Sequence, residues 1–251
     1  MFPLHDENPT VRRAIAMMLL IAINLAVWAF VQGFGSSYPL ARSVCLYGLI
    51  PGELLGLVPV GSRVALDNQT VCVLDGTGSI FTPLTSMFMH GGWFHIIGNL
   101  WFLWVFGDNV EDAMGPFRFI AFYILCGLAA AAAQIVTDPA SKVPMVGASG
   151  AIGGVMGAYV RLYPRARIIT LVILGFYVTT LAVPAFLMLG YWFLLQILGG
   201  LPTLAGTDGG VAFWAHIGGF LAGVLLIGLF HRPELLAEHR AAGARRSLRS
   251  R

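Results

Sequence analysis

Two residues in this chain have the types and settings to do nucleophilic chemistry together. Ser149 lies in Gly147-Ala148-Ser149-Gly150, and His216 lies in Ala215-His216-Ile217-Gly218-Gly219. A serine hydroxyl is a weak nucleophile until a neighbouring base takes its proton, which requires an imidazole within ~3 Å. Both residues stand at the edges of long apolar runs, so the pair points to hydrolysis inside a membrane. Alone, each has a plainer reading. A serine in an apolar helix commonly bonds its own backbone, and a lone histidine commonly packs or bridges. What raises the pair above that reading is the placement of the elements that carry it.

Composition sets those elements. The chain is 57% hydrophobic and 11% charged, against about 25% charged for a soluble domain, and its mean hydropathy is +0.79. Such a chain is a polytopic membrane protein. The expected spans are Ala14–Phe34, Trp93–Phe106, Phe119–Val136, Gly147–Val160, Pro184–Leu198 and Val211–Phe230. The first reads as a retained span rather than a cleaved leader, because no small-residue cleavage site follows it. Several are short for a hydrocarbon core of ~30 Å, which shielding by neighbouring helices permits.

Ile168–Val183 competes as a seventh span, and charge argues against it. With six spans and a cytoplasmic N-terminus, twelve arginines fall on inner segments, and only Arg42, Arg63 and Lys142 fall outside. A seventh span would move the C-terminal arginines to the outer side, against the positive-inside rule. Ile168–Val183 is therefore expected to lie at the inner interface without crossing. The expected organisation is a cytoplasmic segment over 1–13, a six-span domain over 14–231 and a basic cytoplasmic tail over 232–251. Asp108, Glu111 and Asp112 read as a solvated helix end, and His231 and His239 call for no role. The tail reads as solvated or touching lipid headgroups. Cys45 and Cys72 both fall on the outer side, where a disulfide can form.

Orientation converts sequence distance into depth. Ser149 stands twelve residues from Arg161, about 18 Å along a helix, and His216 stands sixteen from Arg232, about 24 Å. His95 stands thirteen from Asp108, about 20 Å, with Asn99 one turn deeper. Ser149, His216 and His95 fall in one band in the outer half of the bilayer, where polar groups are costly unless paired or hydrated and are functional candidates by default. Gly153 and Gly157 on the fourth span, and Gly219 and Gly223 on the sixth, form small-x-x-x-small faces that let helix backbones close on each other. Close approach is what a serine needs to reach an imidazole.

These residues resemble the rhomboid family of intramembrane serine proteases. The resemblance runs from about Phe88 to Gly223 and rests on three motifs in order: His90-x4-His95-x3-Asn99, Gly147-x-Ser149-Gly150, and Ala215-His216-x-x-Gly219-x-x-x-Gly223. Phe106-Gly107-x4-Asp112-x-x-Gly115 is also similar. The resemblance implies an all-α, six-transmembrane-helix bundle and a Ser149–His216 dyad with no third acidic member. It implies an oxyanion hole of His95, Asn99 and the Ser149 backbone N–H, and His90 as a hydrogen-bonding scaffold at the span mouth. It implies small residues at the cleavage point, lateral access past the fifth span, and Gly199–Gly210 as a mobile cap.

The chain departs from the family at Gly153, where many relatives carry an aromatic beneath the catalytic histidine. The expectation is a cavity that accepts Gly153→Tyr, while Gly219→Val is not accepted. No cofactor, metal or nucleic acid is implied. The expected partners are the lipid bilayer and single-span or polytopic membrane-protein substrates, and the oligomeric state is left open. The expected location is a bacterial cytoplasmic (inner) membrane with both termini in the cytoplasm. The competing reading is an inactive relative that binds or escorts membrane clients; such relatives typically lack the serine or the histidine.

Overall fold

A computed structural model describes residues 2–66, 70–76, 78–204 and 211–249. Strand β1 (Phe2–Asp6) precedes helices α1 (Ile15–Phe30) and α2 (Ser37–Tyr47). The segment before the next long helix continues with α3 (Pro51–Leu54), β2 (Arg63–Ala65), β3 (Val71–Val73) and α4 (Thr82–Thr85). Then come α5 (Trp93–Met114), α6 (Pro116–Thr137) and α7 (Ser149–Leu162). Strands β4 (Arg167–Leu174) and β5 (Tyr177–Pro184) lead into α8 (Ala185–Leu204), α9 (Phe213–Phe230) and α10 (Pro233–Arg249).

The six apolar runs all form helices: α1, α5, α6, α7, α8 and α9. Among the described residues, α6, α8 and α9 are long and apolar enough to cross a membrane by length and composition, and α1 is a shorter apolar helix. Helix α7 has only fourteen residues, and eleven of them are buried. It packs against α9, α6 and α5. A helix covered by protein on nearly every side does not have to match the hydrocarbon thickness itself. Its small face makes that burial possible: Gly150, Gly153, Gly154 and Gly157 all lie in the interior.

The chain is mostly helical but not all-α. Ile168–Val183 is rich in β-branched residues, and it folds as an antiparallel hairpin registered from Arg167↔Pro184 to Leu174↔Tyr177. Its two-residue turn places Gly175 at φ +60°, a left-handed conformation that glycine adopts without a Cβ clash. β1 then pairs with β4, giving sheet order β1-β4-β5, so the N-terminal segment is structured rather than loose. On the other side, β2 and β3 form a second small sheet. A Cys45–Cys72 disulfide joins it to α2, with Cα atoms 5.6 Å apart.

The acidic cluster at the end of α5 is a second correction. Glu111 is buried and accepts the backbone N–H groups of Ala16 at 3.0 Å and Met17 at 2.7 Å. It thereby caps the open N-terminus of α1, which has no side-chain cap of its own. Asp112, also buried, accepts the N–H of Val11 at 2.9 Å and the Arg12 guanidinium at 3.0 Å. His239 from α10 meets its other face at 2.7 Å. The tail is thus a docked helix, with Leu236 and His239 buried. An apolar stripe is weak in this segment, so the docking rests largely on polar contacts of His239 and Glu238 that the sequence pattern does not reveal.

Candidate active site

The chain reaches Ser149 through a backbone held at two points. Leu49 and Met145 exchange backbone hydrogen bonds at 2.9 and 2.8 Å, and the Gly147 N–H donates to the Ser86 carbonyl at 2.9 Å. Gly147 has φ +127°, and a Cβ there would lie 2.6 Å from His95 Nε2. Glycine is required both by that conformation and by the approach of the imidazole. Ser149 is then the first residue of α7, so its own N–H has no partner within the helix.

His216 lies in the first turn of α9. Gly219 and Gly223 share its face, and their missing side chains set the distance between α9 and α7. A Cβ on Gly219 would stand 1.9 Å from the Gly150 carbonyl oxygen, and one on Gly223 1.9 Å from that of Gly154. From the other helix, a Cβ on Gly157 would stand 2.2 Å from the Phe220 carbonyl oxygen. With the backbones in contact, His216 Nε2 comes to 2.8 Å from Ser149 Oγ. The four glycines singled out for helix packing therefore all lie at this interface.

The other ring nitrogen, Nδ1, is 2.8 Å from Gln196 Oε1 on α8. Trp192, one turn earlier on α8, lays its ring beside the imidazole, with centroids 5.9 Å apart and planes 38° apart. The space expected beside Gly153 is therefore bordered by Trp192 and the α9 backbone. A Cβ on Gly153 would meet the His216 carbonyl oxygen at 3.1 Å and Trp192 at 3.8 Å. The aromatic neighbour of the histidine comes from α8 rather than from α7. Gln196 was not among the residues expected at the site, although its signal was present. It is the one amide in α8 and lies twelve residues past Pro184, about 18 Å along a helix and in the same band as Ser149.

His95 and Asn99 line the same cavity of about 730 Å³ as Ser149 and His216. The Gly91 N–H donates to His95 Nδ1 at 3.2 Å, which leaves the proton of a neutral ring on Nε2, the nitrogen that faces Gly147. Asn99 is buried, and among the described residues its Nδ2 has no hydrogen-bond partner. Both residues therefore stand beside Ser149 at the wall of one cavity.

His90 differs from expectation. Its ring is fully buried and edge-on to His95, with centroids 5.3 Å apart. Burial, and then the neighbouring His95, push its pKa down to about 3. The scaffold contacts come from its backbone instead: its N–H donates to Gln32 Oε1 at 2.9 Å, and its carbonyl accepts from Gln32 Nε2 at 2.8 Å. Of the expected cap, Gly199–Leu204 continues α8, and residues 205–210 lie outside the described residues.

Comparison with known proteins bears on this arrangement. The sequence profile described as Rhomboid domain matches residues 77–233. "Rhomboid protein 1, mitochondrial" of Saccharomyces cerevisiae is 29% identical over 157 residues, covering 60% of this chain and 42% of that one. "Rhomboid-like protein 11, chloroplastic" of Arabidopsis thaliana is 31% identical over 158 residues, covering 59% and 52%. "Rhomboid protease GluP" of Bacillus subtilis is 31% identical over 141 residues, covering 56% and 27%. The chain matches about half the length, or less, of these curated relatives. Their mitochondrial, chloroplast and bacterial origins do not support the bacterial inner membrane over the others. With the profile covering more than half the sequence and every motif inside it, the chain belongs to the rhomboid family.

Proposed function

We propose that the chain is an intramembrane serine endopeptidase. The observation that carries this is the 2.8 Å contact between Ser149 Oγ and His216 Nε2, made by residues of two different helices across a glycine interface. Ser149 Oγ attacks the scissile carbonyl carbon while His216 Nε2 takes its proton. The new oxyanion lies against His95 Nε2–H, Asn99 Nδ2–H and the Ser149 N–H. One such preorganised donor is worth on the order of 3 kcal/mol. As the tetrahedral intermediate collapses, the C–N bond breaks and His216 gives the proton to the leaving amine. Water then hydrolyses the acyl-enzyme, with His216 again as base.

The substrates are single-span or polytopic membrane proteins. Their helices must unwind locally to bring a carbonyl to Ser149, because a helical carbonyl is already bonded. In this reading residues 14–231 form the protease domain and cross the membrane six times, with both termini cytoplasmic. The β4–β5 hairpin joins two crossings at the inner interface. The test is reaction with a serine-directed fluorophosphonate, followed by mapping of the labelled residue. Labelling at Ser149, lost in His216→Ala, is expected. A folded protein that does not react would leave the chain a client-binding relative.

A further inference from the structure

The contact on the far side of the His216 ring is not part of a Ser–His dyad. Gln196 is 8% exposed and uses both ends of its amide. Nε2 donates to the Trp192 carbonyl one turn back on α8, at 3.1 Å. That bond turns Oε1 toward His216 Nδ1, 2.8 Å away. A carbonyl oxygen can only accept, so the proton of the neutral ring sits on Nδ1 and the lone pair on Nε2. Nε2 is the nitrogen 2.8 Å from Ser149 Oγ.

We propose that Gln196 is a positioning residue that holds His216 in the Nδ1–H tautomer and, with Trp192 beside the ring, fixes its plane. The inference rests on the proposed Ser149–His216 chemistry. With the opposite tautomer Nε2 would carry a hydrogen and could not take the serine proton. As that proton arrives, the Nδ1–H bond to Gln196 becomes charge-assisted and shortens, so its strength grows along the reaction coordinate. The partner remains neutral. A carboxylate there would add a net charge at bilayer depth, where charge is expensive; an amide orients the ring without that cost.

Two plainer readings fall short. The Nε2 bond to Trp192 satisfies half of a glutamine in an apolar helix, but it does not place Oε1 on an imidazole. The alternative orienting group, an aromatic on α7, is ruled out by Gly153. The base is therefore held from α8, and its orientation depends on α8 lying against α9.

The experiment uses the full chain in detergent micelles, with ¹⁵N-labelled histidine and a fluorophosphonate probe. His216 ring signals are assigned by their loss in His216→Asn. In the wild type, His216 is expected to show a protonated Nδ1 and an unprotonated Nε2; the reverse pattern overturns the inference without any Gln196 variant. Gln196→Leu removes the acceptor at similar volume. It is expected to mix the tautomers and slow Ser149 labelling about 10- to 100-fold, on the scale of a misoriented catalytic group. Gln196→Glu restores an acceptor but lacks the N–H that bonds Trp192, and is expected to recover the Nδ1–H pattern and part of the rate. Wild-type labelling rates and an unchanged tautomer in folded Gln196→Leu refute the role. A wild type that shows the Nδ1–H pattern but does not label would refute the Ser–His chemistry and leave the tautomer assignment standing.

Discussion

A single methyl group at Gly219 tests how the site is assembled. Its Cβ would stand 1.9 Å from the Gly150 carbonyl oxygen, and Cβ atoms do not approach such an oxygen closer than about 3.0 Å. The obstacle is backbone on both sides, so no side chain can rotate away. Helices α7 and α9 must part by ~1.1 Å or shear by a similar amount. Ser149 and His216 lie on those two helices, so their 2.8 Å contact opens toward ~3.9 Å, past hydrogen-bond range. A displacement on this scale costs about 100-fold in rate, or ~2.7 kcal/mol of barrier. The control is Gly190→Ala on α8, where a Cβ meets nothing within 4 Å, and where alanine gains up to ~1 kcal/mol of helix propensity. Initial rates on a model membrane substrate and thermal midpoints are measured for both in one detergent. Gly219→Ala is expected to lose rate and a few degrees of midpoint, while Gly190→Ala keeps both. A fully active Gly219→Ala would refute the argument that backbone contact sets the catalytic distance.

The remaining expectations follow from other contacts. Ser149→Ala and His216→Ala each abolish cleavage while the midpoint stays near wild type, since loss of one member of a unit removes nearly all its rate advantage; near-normal turnover in either refutes the assigned roles. Gly153→Tyr, expected from the family pattern to be accepted, is now expected to lose activity, because Trp192 and the His216 backbone occupy its space; full activity would show that α8 yields easily. Asp112→Ala leaves Arg12 and His239 without their shared buried acceptor and is expected to cost about 3 kcal/mol, read as a lower midpoint and faster protease trimming of α10. Burial raises the Asp6 carboxyl from 3.8 to about 7, with the Tyr159 hydroxyl bond opposing. A carboxyl held high in the fold stabilises fully below pH ~4 and loses that contribution as pH rises through 7. Asp6→Asn is therefore expected to raise the midpoint more at pH 8 than at pH 5, and equal changes at both would contradict the assignment.

The residues that meet at the candidate site were largely legible because depth is legible. Helix rise and charge orientation alone place Ser149, His216 and His95 in one band, with Asn99 a turn deeper, and small-x-x-x-small faces mark which helices close on each other. Gln196 was missed although the same ruler reaches it, because a single amide in an apolar helix reads as self-bonded. The hairpin over Ile168–Val183 was rightly kept apart from the helical runs by its β-branched content, but its pairing with Phe2–Asp6 joins segments more than 160 residues apart, and no local pattern announces that. The same distance hid the Asp112 network. An acidic cluster at a helix end looks solvated until the backbone that covers it is known. At Gly153 the family pattern suggests an open place, while the structure sets the His216 carbonyl oxygen 3.1 Å and Trp192 3.8 Å from a Cβ there.

The bonds between the two ends of the chain bear on how it is threaded. Asn8 meets His239 at 3.0 Å, and Arg12 pairs with Glu238. Segments before the first apolar helix and after the last one are therefore stitched together on one face. The six crossings proposed above bring both ends to the same side of the membrane, which is what a tie between them requires. The tie also gives α10 a consequence during biosynthesis. The stitch cannot close until the last apolar helix is inserted, so a protease-resistant tail would report that the whole bundle has been threaded, and a trimmed one that it has not.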